Sequence, residues 1–499
     1  LERERALQQQ LNLKAAEQTK LATGKQDQAK SAELAKEIST LTIGLEQVEA
    51  EIRSTSPRYA ALTQPQPLDL ETIQKQVLDD ETILLEYSFG EKRSYLWTVT
   101  PSSINSYELP APQEIEAAAK RVYKQLIARL PQAGLTESQR QARNADAEKK
   151  YWAEATTLSR MLLAPAALQL ANKRLLIVAP GALQYIPFAS LPEPNQEGPA
   201  DPKTKKPATG RGSTLSPLRP VPLIAHHEIV NLPSASVLAV LRREFAGRQH
   251  ASQSVAVLAD PVFSEEDGRV KAAVASEQKA KAGVSEDLDT AAMKRAIRSV
   301  TGDERAGLQR LLFSRDEADA IVSLAPPSSV LKALDFKASR TTALSDQLSQ
   351  YRIIHFATHG VLDSAHPELS GLALSLVDEN GKEQDGYLRL NEIYNLKLNA
   401  ELVVLSACQT GLGKEVRGEG LIGLTRGFMY AGAPRVVASL WQVNDAATAE
   451  LMKRFYRGML KNGLPPAAAL RTAQLELMNR PAWQSPYFWG AFVLQGEWK

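Results

Sequence analysis

ELVVLSACQTG, residues 401–411, decides the reading of this chain. Its first half is a short, continuous apolar run, the pattern of a parallel strand buried on both faces. Its second half turns polar at Ser406 and delivers Cys408 directly past the strand's C-terminal end. Open α/β sheets bind ligands in the crevice outside the carboxyl ends of their strands. A cysteine at that point is placed for chemistry as well as for packing.

Working outward, the same kind of strand recurs in LLIVAP (175–180), VAVLADP (255–261), YRIIHFATHG (351–360) and PRVVASLW (434–441). Helical patterns alternate with these strands at 316–324, 341–350, 420–431, 446–461 and 465–479. Buried strands alternating with helices predict an α/β fold with a doubly wound, mostly parallel sheet flanked by helices. Upstream, TILLEYSF (82–89) and SYLWTVT (94–100) flank Gly90–Arg93 and predict a hairpin, followed by helices over 113–130 and 145–163. Two stretches, 193–217 and 264–308, read as surface insertions, as disordered loops or as processing sites.

The N-terminal segment is helical in pattern. Leu34, Ile38, Leu41, Leu45, Val48 and Ile52 form a seam with alternating spacings of four and three, out of phase with Leu7 and Leu11. Two helices meeting near Gly24, or one long helix with a phase slip, both fit. Either a docking helix pair or the end of an upstream helical repeat array gives this pattern.

The 499 residues suffice for two or three domains, and 43% apolar with 23% charged content is ordinary for a globular protein. A net charge of +2 predicts no strong pull toward nucleic acid or a membrane surface. No apolar run approaches the roughly 18 residues a spanning helix needs. The opening LERERALQQQ is charged, unlike a secretory signal, so a cytoplasmic location is expected. The chain begins at Leu1 rather than Met, which fits a fragment without its native N-terminus. A single Cys excludes an intrachain disulfide and fits a reducing compartment.

His359 stands next to last in YRIIHFATHG as Cys408 follows ELVVLSA, 49 positions apart (408 minus 359). Two strands finishing at one sheet edge, one with His and one with Cys, supply what thiol catalysis needs. The imidazole takes the thiol proton, the thiolate attacks a carbonyl, and the imidazolium protonates the leaving amine. The N–H groups of Gly360 and Cys408 are the natural oxyanion-hole donors. The plainer reading of a lone Cys is a small buried hydrophobe.

Other chemistries fit less well. His355 and His359 are four apart, but on one continuous strand they would stand about 13 Å apart, too far to share zinc. Gly418-Glu419-Gly420-Leu421-Ile422-Gly423 is a literal GxGxxG, yet Lys414, Glu415 and Arg417 intervene between it and the strand, against the dinucleotide fingerprint. His226, His227 and His366 read as structural or solvated. No metal and no cofactor are expected.

With both motifs in place, the chain resembles the CHAT domain proteins, a caspase-like bacterial family related to separase. The resemblance runs through LLIVAPGALQYIPFASLP (175–192), HHEIVNLPSASVL (226–238), VLADPVF (257–263), LLFSRDEADAI (311–321), RIIHFATHG (352–360), LVVLSACQTGLG (402–413) and GEGLIGLTRGFMYAGAPRVVASLWQVNDAATAELMKRFY (418–456). It implies a caspase-like α/β fold with His359 as general base and Cys408 as nucleophile of a cysteine endopeptidase. It implies a helical segment over 1–60, an α+β part over 61–170 and the caspase-like peptidase domain over 171–499. Family members often carry N-terminal helical repeats, frequently TPRs, which suits a regulatory partner bound through the N-terminal helices. Asp445 in SLWQVNDAAT matches the acidic residue that lines the primary specificity pocket of related proteases, which implies a protein substrate cut after a basic P1 residue. Asp445 suits equally an N-cap of a helix starting near Ala446. A catalytically silent scaffold or interaction module on the same fold is the alternative function.

Overall fold

The computed structural model describes residues 66–130, 134–194, 219–270, 308–361, 370–406, 408–410, 419–441 and 444–499, with scattered positions between Leu7 and Val48. The chain divides into two compact units. Unit 1 holds Leu1–Pro67, Val240–Glu415 and Glu419–Val436; unit 2 holds Leu68–Ala239, Val416–Gly418 and Val437–Lys499.

Unit 2 opens with β1 (Thr82–Phe89), β2 (Ser94–Thr100) and β3 (Ser103–Leu109), paired antiparallel in sequence. The hairpin falls where the sequence places it. β3 is an addition: its mostly polar, half-exposed residues give no buried run to read. Helix α1 (Pro112–Ile127) starts on proline, whose fixed φ and missing N–H suit a first turn. It buries Ile115, Ala118, Ala119, Val122, Tyr123 and Leu126 along one stripe. Helix α2 (Glu137–Leu163) begins eight residues before the expected 145, because Thr136 and Gln139 close a capping box on a polar first segment. Strands β4 (Arg174–Val178) and β5 (Ile229–Asn231) then continue the sheet in parallel from β1.

Unit 1 carries β6 (Gln253–Ala259), α3 (Ser314–Val322), β7 (Val330–Leu334) and β8 (Tyr351–Ala357). Next come the short strands β9 (His359–Val361), β10 (Gly371–Ala373) and β11 (Tyr387–Arg389) and helix α4 (Leu390–Tyr394). β12 (Leu402–Leu405), β13 (Cys408–Thr410) and α5 (Glu419–Ala431) complete it. Its main sheet has the order β12-β8-β6-β7, all parallel. Val255–Ala259, Ile354, Phe356 and Leu402–Leu405 are buried, as continuous apolar strands require when both faces are covered. Successive residues of β8 show the two faces. His355 meets Glu317 of α3, while the Phe356 ring lies 5.6 Å from Phe428 of α5.

The chain continues with β14 (Arg435–Ser439) and, in unit 2, α6 (Asp445–Leu460), α7 (Pro466–Met478) and β15 (Phe492–Gly496), which pairs parallel with β5. The expected mostly parallel α/β architecture with flanking helices is therefore present, with antiparallel pairing in β1–β2–β3 at one end of the sheet and in the short strands β9–β10–β11.

Three local expectations change. The run 351–360 is two strands that break at Thr358, whose hydroxyl donates to the carbonyl of Ala373. The helix expected over 341–350 is a turn of α-helix (Arg340–Ala343) and a separate 3₁₀ turn (Asp346–Gln350), because Ser345 Oγ binds the Thr342 carbonyl and diverts the backbone there. At the N-terminus, Leu34 and Val48 are buried, and a Cβ added at Gly44 would stand 3.6 Å from the Leu7 side chain. On one straight helix those two residues would be roughly 55 Å apart. Leu7 and Gly44 therefore lie side by side, which one straight helix does not allow. Ile38, Leu45, Ile52, Leu11 and Gly24 lie outside the described residues, as do His366 and most of 193–217 and 264–308.

Candidate active site

The strand end of β8 and the strand end of β12 set the site. β8 and β12 run side by side with Leu402 opposite Ile353 and Leu405 opposite Phe356. Past Thr358 on one strand and past Ser406 on the other, both continue into a second, four-stranded sheet of order β11-β10-β9-β13. There β13 pairs parallel with β9, and Cys408 stands opposite His359. The offset is 49 residues before the break (402 minus 353) and 49 after it (408 minus 359). The spacing of His and Cys in the sequence is thus the register of two neighbouring strands, carried through a break at the same place in each.

His359 is nearly enclosed, 4% exposed. Its Nε2 lies 2.6 Å from the carbonyl oxygen of Gln309, which can only accept, so Nε2 carries the proton and donates it. Nδ1 is then the bare nitrogen, and it is buried with no hydrogen-bond partner among the described residues. The ring of Phe263 lies 5.2 Å away at 52°. Burial pushes the imidazole pKa below its ordinary value, and the Gln309 hydrogen bond opposes that only in part. A neutral imidazole with a fixed tautomer and an unoccupied basic nitrogen is the form a general base takes.

Gly360 sits at the middle of β9, opposite Leu372 on one side and Gln409 on the other. Asp445 is the first residue of α6 and belongs to unit 2. The N-cap expected of it belongs to its neighbour: Asn444 Oδ1 accepts from the N–H of Ala447 at 3.3 Å. Asn one position earlier reaches the third helical N–H, as capping geometry demands.

Of the other histidines, His226 is exposed and 3.1 Å from Glu193, while His227 is buried with Nδ1 2.8 Å from the Lys173 carbonyl. Within the GxGxxG string, Gly418 lies outside the described residues and Gly420 and Gly423 are helical, in α5. A Cβ at Gly423 would stand 3.2 Å from Leu390, so this glycine lets α5 approach α4 closely. Among the described residues no group of three His, Cys, Asp or Glu side chains is placed to hold a metal ion.

Two parts of the surroundings were not assigned from sequence. Asp260 is fully buried just past the end of β6 and receives Arg310 in a bidentate grip, Nε to Oδ1 at 2.8 Å and Nη2 to Oδ2 at 2.7 Å. Arg315 Nε reaches the same Oδ2 at 2.8 Å, and Arg269 donates to Asp335 Oδ1 at 2.8 Å. Second, His355 and Glu317 lie 3.1 Å apart, both buried, and Ser406 Oγ donates to the other Glu317 oxygen at 3.3 Å. The strings VLADPVF and LLFSRDEADAI hold Asp260, Arg315 and Glu317; what they lack in sequence is any sign of which acid meets which base.

The sequence matches the CHAT domain over residues 152–497, and the chain belongs to the CHAT domain family. It is 38% identical over 106 residues to tetratricopeptide repeat protein 28 of Mus musculus, and 38% over 114 residues to that of Homo sapiens. These alignments cover 21% and 23% of this chain, and about 4% of the length of either relative. Among solved structures, the Saccharomyces cerevisiae separase–securin complex aligns with a TM-score of 0.48 and 11% identity, over 89% of this chain and 31% of that one. The Arg specific cysteine proteinase gingipain R aligns with a TM-score of 0.36 and 10% identity, over 77% and 74%. No helix among the described residues is long and apolar enough to cross a membrane.

Proposed function

We propose that this chain is a cysteine endopeptidase in which His359 is the general base and Cys408 the nucleophile. The observation that carries the reading is the register of β9 and β13, which sets Cys408 opposite a His359 whose Nδ1 is bare. Nδ1 takes the thiol proton, and the thiolate attacks the carbonyl of the scissile peptide. The N–H groups of Gly360 and Cys408 receive the oxyanion, and the imidazolium returns its proton to the departing amine. Water then attacks the thioester with the imidazole again as base, which releases the acid and restores the thiol. No metal or organic cofactor enters. Asp445 is the candidate for selecting a basic P1 residue, by a charge-assisted contact. The substrate is a protein, and the N-terminal helices are the candidate surface for a regulatory partner.

A second reading, a silent scaffold on the same fold, is favoured by one observation: His359 is only 4% exposed, which leaves little room for a substrate carbonyl. Both are tested with a P1-randomised peptide library assayed on wild type, Cys408→Ala and Asp445→Asn. Cleavage is expected from wild type and Asp445→Asn, with the basic preference lost in the latter. No cleavage by wild type, with partner binding intact in Cys408→Ala, would leave the scaffold. A basic preference that survives Asp445→Asn would remove Asp445 from the pocket.

A further inference from the structure

Three consecutive residues before α3 are each anchored differently. Leu308 packs into the apolar cluster of Val361, Ala373 and Tyr387, with Phe263 beside it. Gln309 turns its carbonyl oxygen to His359 Nε2 at 2.6 Å. Arg310 grips both oxygens of Asp260. A lone backbone carbonyl on an irregular segment is a weak means of orienting an imidazole unless something fixes that segment. Asp260 has φ of 51° and Asp335, the other acceptor of the arginines, 54°. Backbone in this region is costly for residues other than glycine and persists where surrounding contacts over-determine it. Here the contacts are on view: Asp260 receives Arg310, Arg315 and Arg269, and Asp335 receives Arg315 and Arg269. The chain from Asp260 also leads, three residues on, to Phe263, whose ring lies beside His359.

We propose that Asp260 and Arg310 are positioning residues for the dyad: their bidentate ion pair clamps Gln309 so that its carbonyl holds His359 in the Nε2–H tautomer with Nδ1 bare. Neither residue touches the reacting atoms. The clamp deepens the peptidase reading and rests on it for its purpose, but its geometry is testable without any substrate. Arg315 serves as the internal comparison, because it binds Asp260 as Arg310 does, and Asp335 besides, yet lies six residues from Gln309. Loss of Arg315 disturbs the cluster; loss of Arg310 disturbs the cluster and frees the carbonyl.

The test uses the full chain labelled with ¹⁵N-histidine, with His359 assigned by His359→Asn. The imidazole Nε2–H proton is observed directly, since it is visible when hydrogen-bonded and lost to solvent exchange when freed. Alkylation by iodoacetamide provides a second readout, specific to Cys408 because the chain has one cysteine. Wild type is expected to show the Nε2–H signal. Arg310→Gln is expected to lose it and to alkylate about tenfold more slowly, the scale on which small misplacement of a reacting group is felt. Arg315→Gln is expected to keep the signal. Arg310→Lys keeps the charge opposite Asp260 and guards against a failure to fold; it cannot chelate both oxygens, so its signal is expected to weaken. A signal unchanged in both Arg310 variants, or lost equally in Arg315→Gln, overturns the clamp. If instead His359→Asn alkylates as fast as wild type, the peptidase reading fails while the proton signal still decides the clamp.

Discussion

Glu317 offers the sharpest test of the energetics in unit 1. Its side chain is 4% exposed, faces the fully buried His355 at 3.1 Å and accepts from Ser406 Oγ at 3.3 Å. Glu317→Ala takes the carboxylate away from both groups in a site shut off from water. Leaving a buried polar group without its hydrogen-bond partner costs about 1–3 kcal/mol. A loss of about 3 kcal/mol is expected with two such groups facing the vacated acid, measurable as a melting temperature lowered by roughly 6–12 °C for a unit of this size. The double variant Glu317→Leu/His355→Leu removes both members and fills the space with apolar groups, which is often near neutral. Its loss should be well below the sum of the two single variants, by thermal or denaturant unfolding followed through tryptophan fluorescence. Strict additivity of the two substitutions, or a Glu317→Ala loss under about 1 kcal/mol, would refute the idea that this pair holds α3 to β8.

Two further outcomes are expected. His359 is buried with its pKa lowered, so the unfolded chain binds a proton there more readily than the folded one. Its contribution to stability is complete above the unfolded value of about 6.5 and falls away as pH drops toward the folded value, by up to about 1.4 kcal/mol per pH unit. His359→Asn should flatten that acid limb in denaturant unfolding between pH 7 and 5; an unchanged limb would place the ring in water. Gly371→Ala should cost about 2 kcal/mol and slow Cys408 alkylation, because its Cβ would collide with the Leu388 carbonyl oxygen and stand 2.9 Å from the Tyr387 ring. Alkylation at the wild-type rate would show that β10 does not brace β9.

How much could be read from the residues follows from what each element depends on. β6, β8 and β12 were legible because strands buried on both faces need unbroken apolar runs, and these sequences supply them. β3 was not, since a polar edge strand has no such run. The break at Thr358 was hidden for the opposite reason: FATHG stays compatible with a strand throughout, and only the pairing of the next three residues with β10 and β13 ends the first one. Among the candidate site residues, His359 and Cys408 are proposed from residue type and strand position. Gln309 did not, because it acts through a backbone carbonyl, which every residue has. Asp260 and Arg310 were present in the sequence as ordinary charges, 50 positions apart (310 minus 260), with nothing local to pair them. The Asp445 cap was misplaced by one residue, the scale on which side-chain polarity alone stops discriminating.

The alignment of Cys408 with His359 is made by main-chain pairing of two three-residue strands. Such a device is indifferent to most of the side chains around it. Substitutions can therefore reshape what approaches the two residues without moving the residues themselves. The same economy sets a sharp limit. Side chains on a strand alternate between faces, so a slip of one residue would bring Gln409 opposite His359 in place of Cys408 and leave no graded intermediate. Substitutions around the two residues are therefore tolerated where an insertion or deletion within β9 or β13 is not.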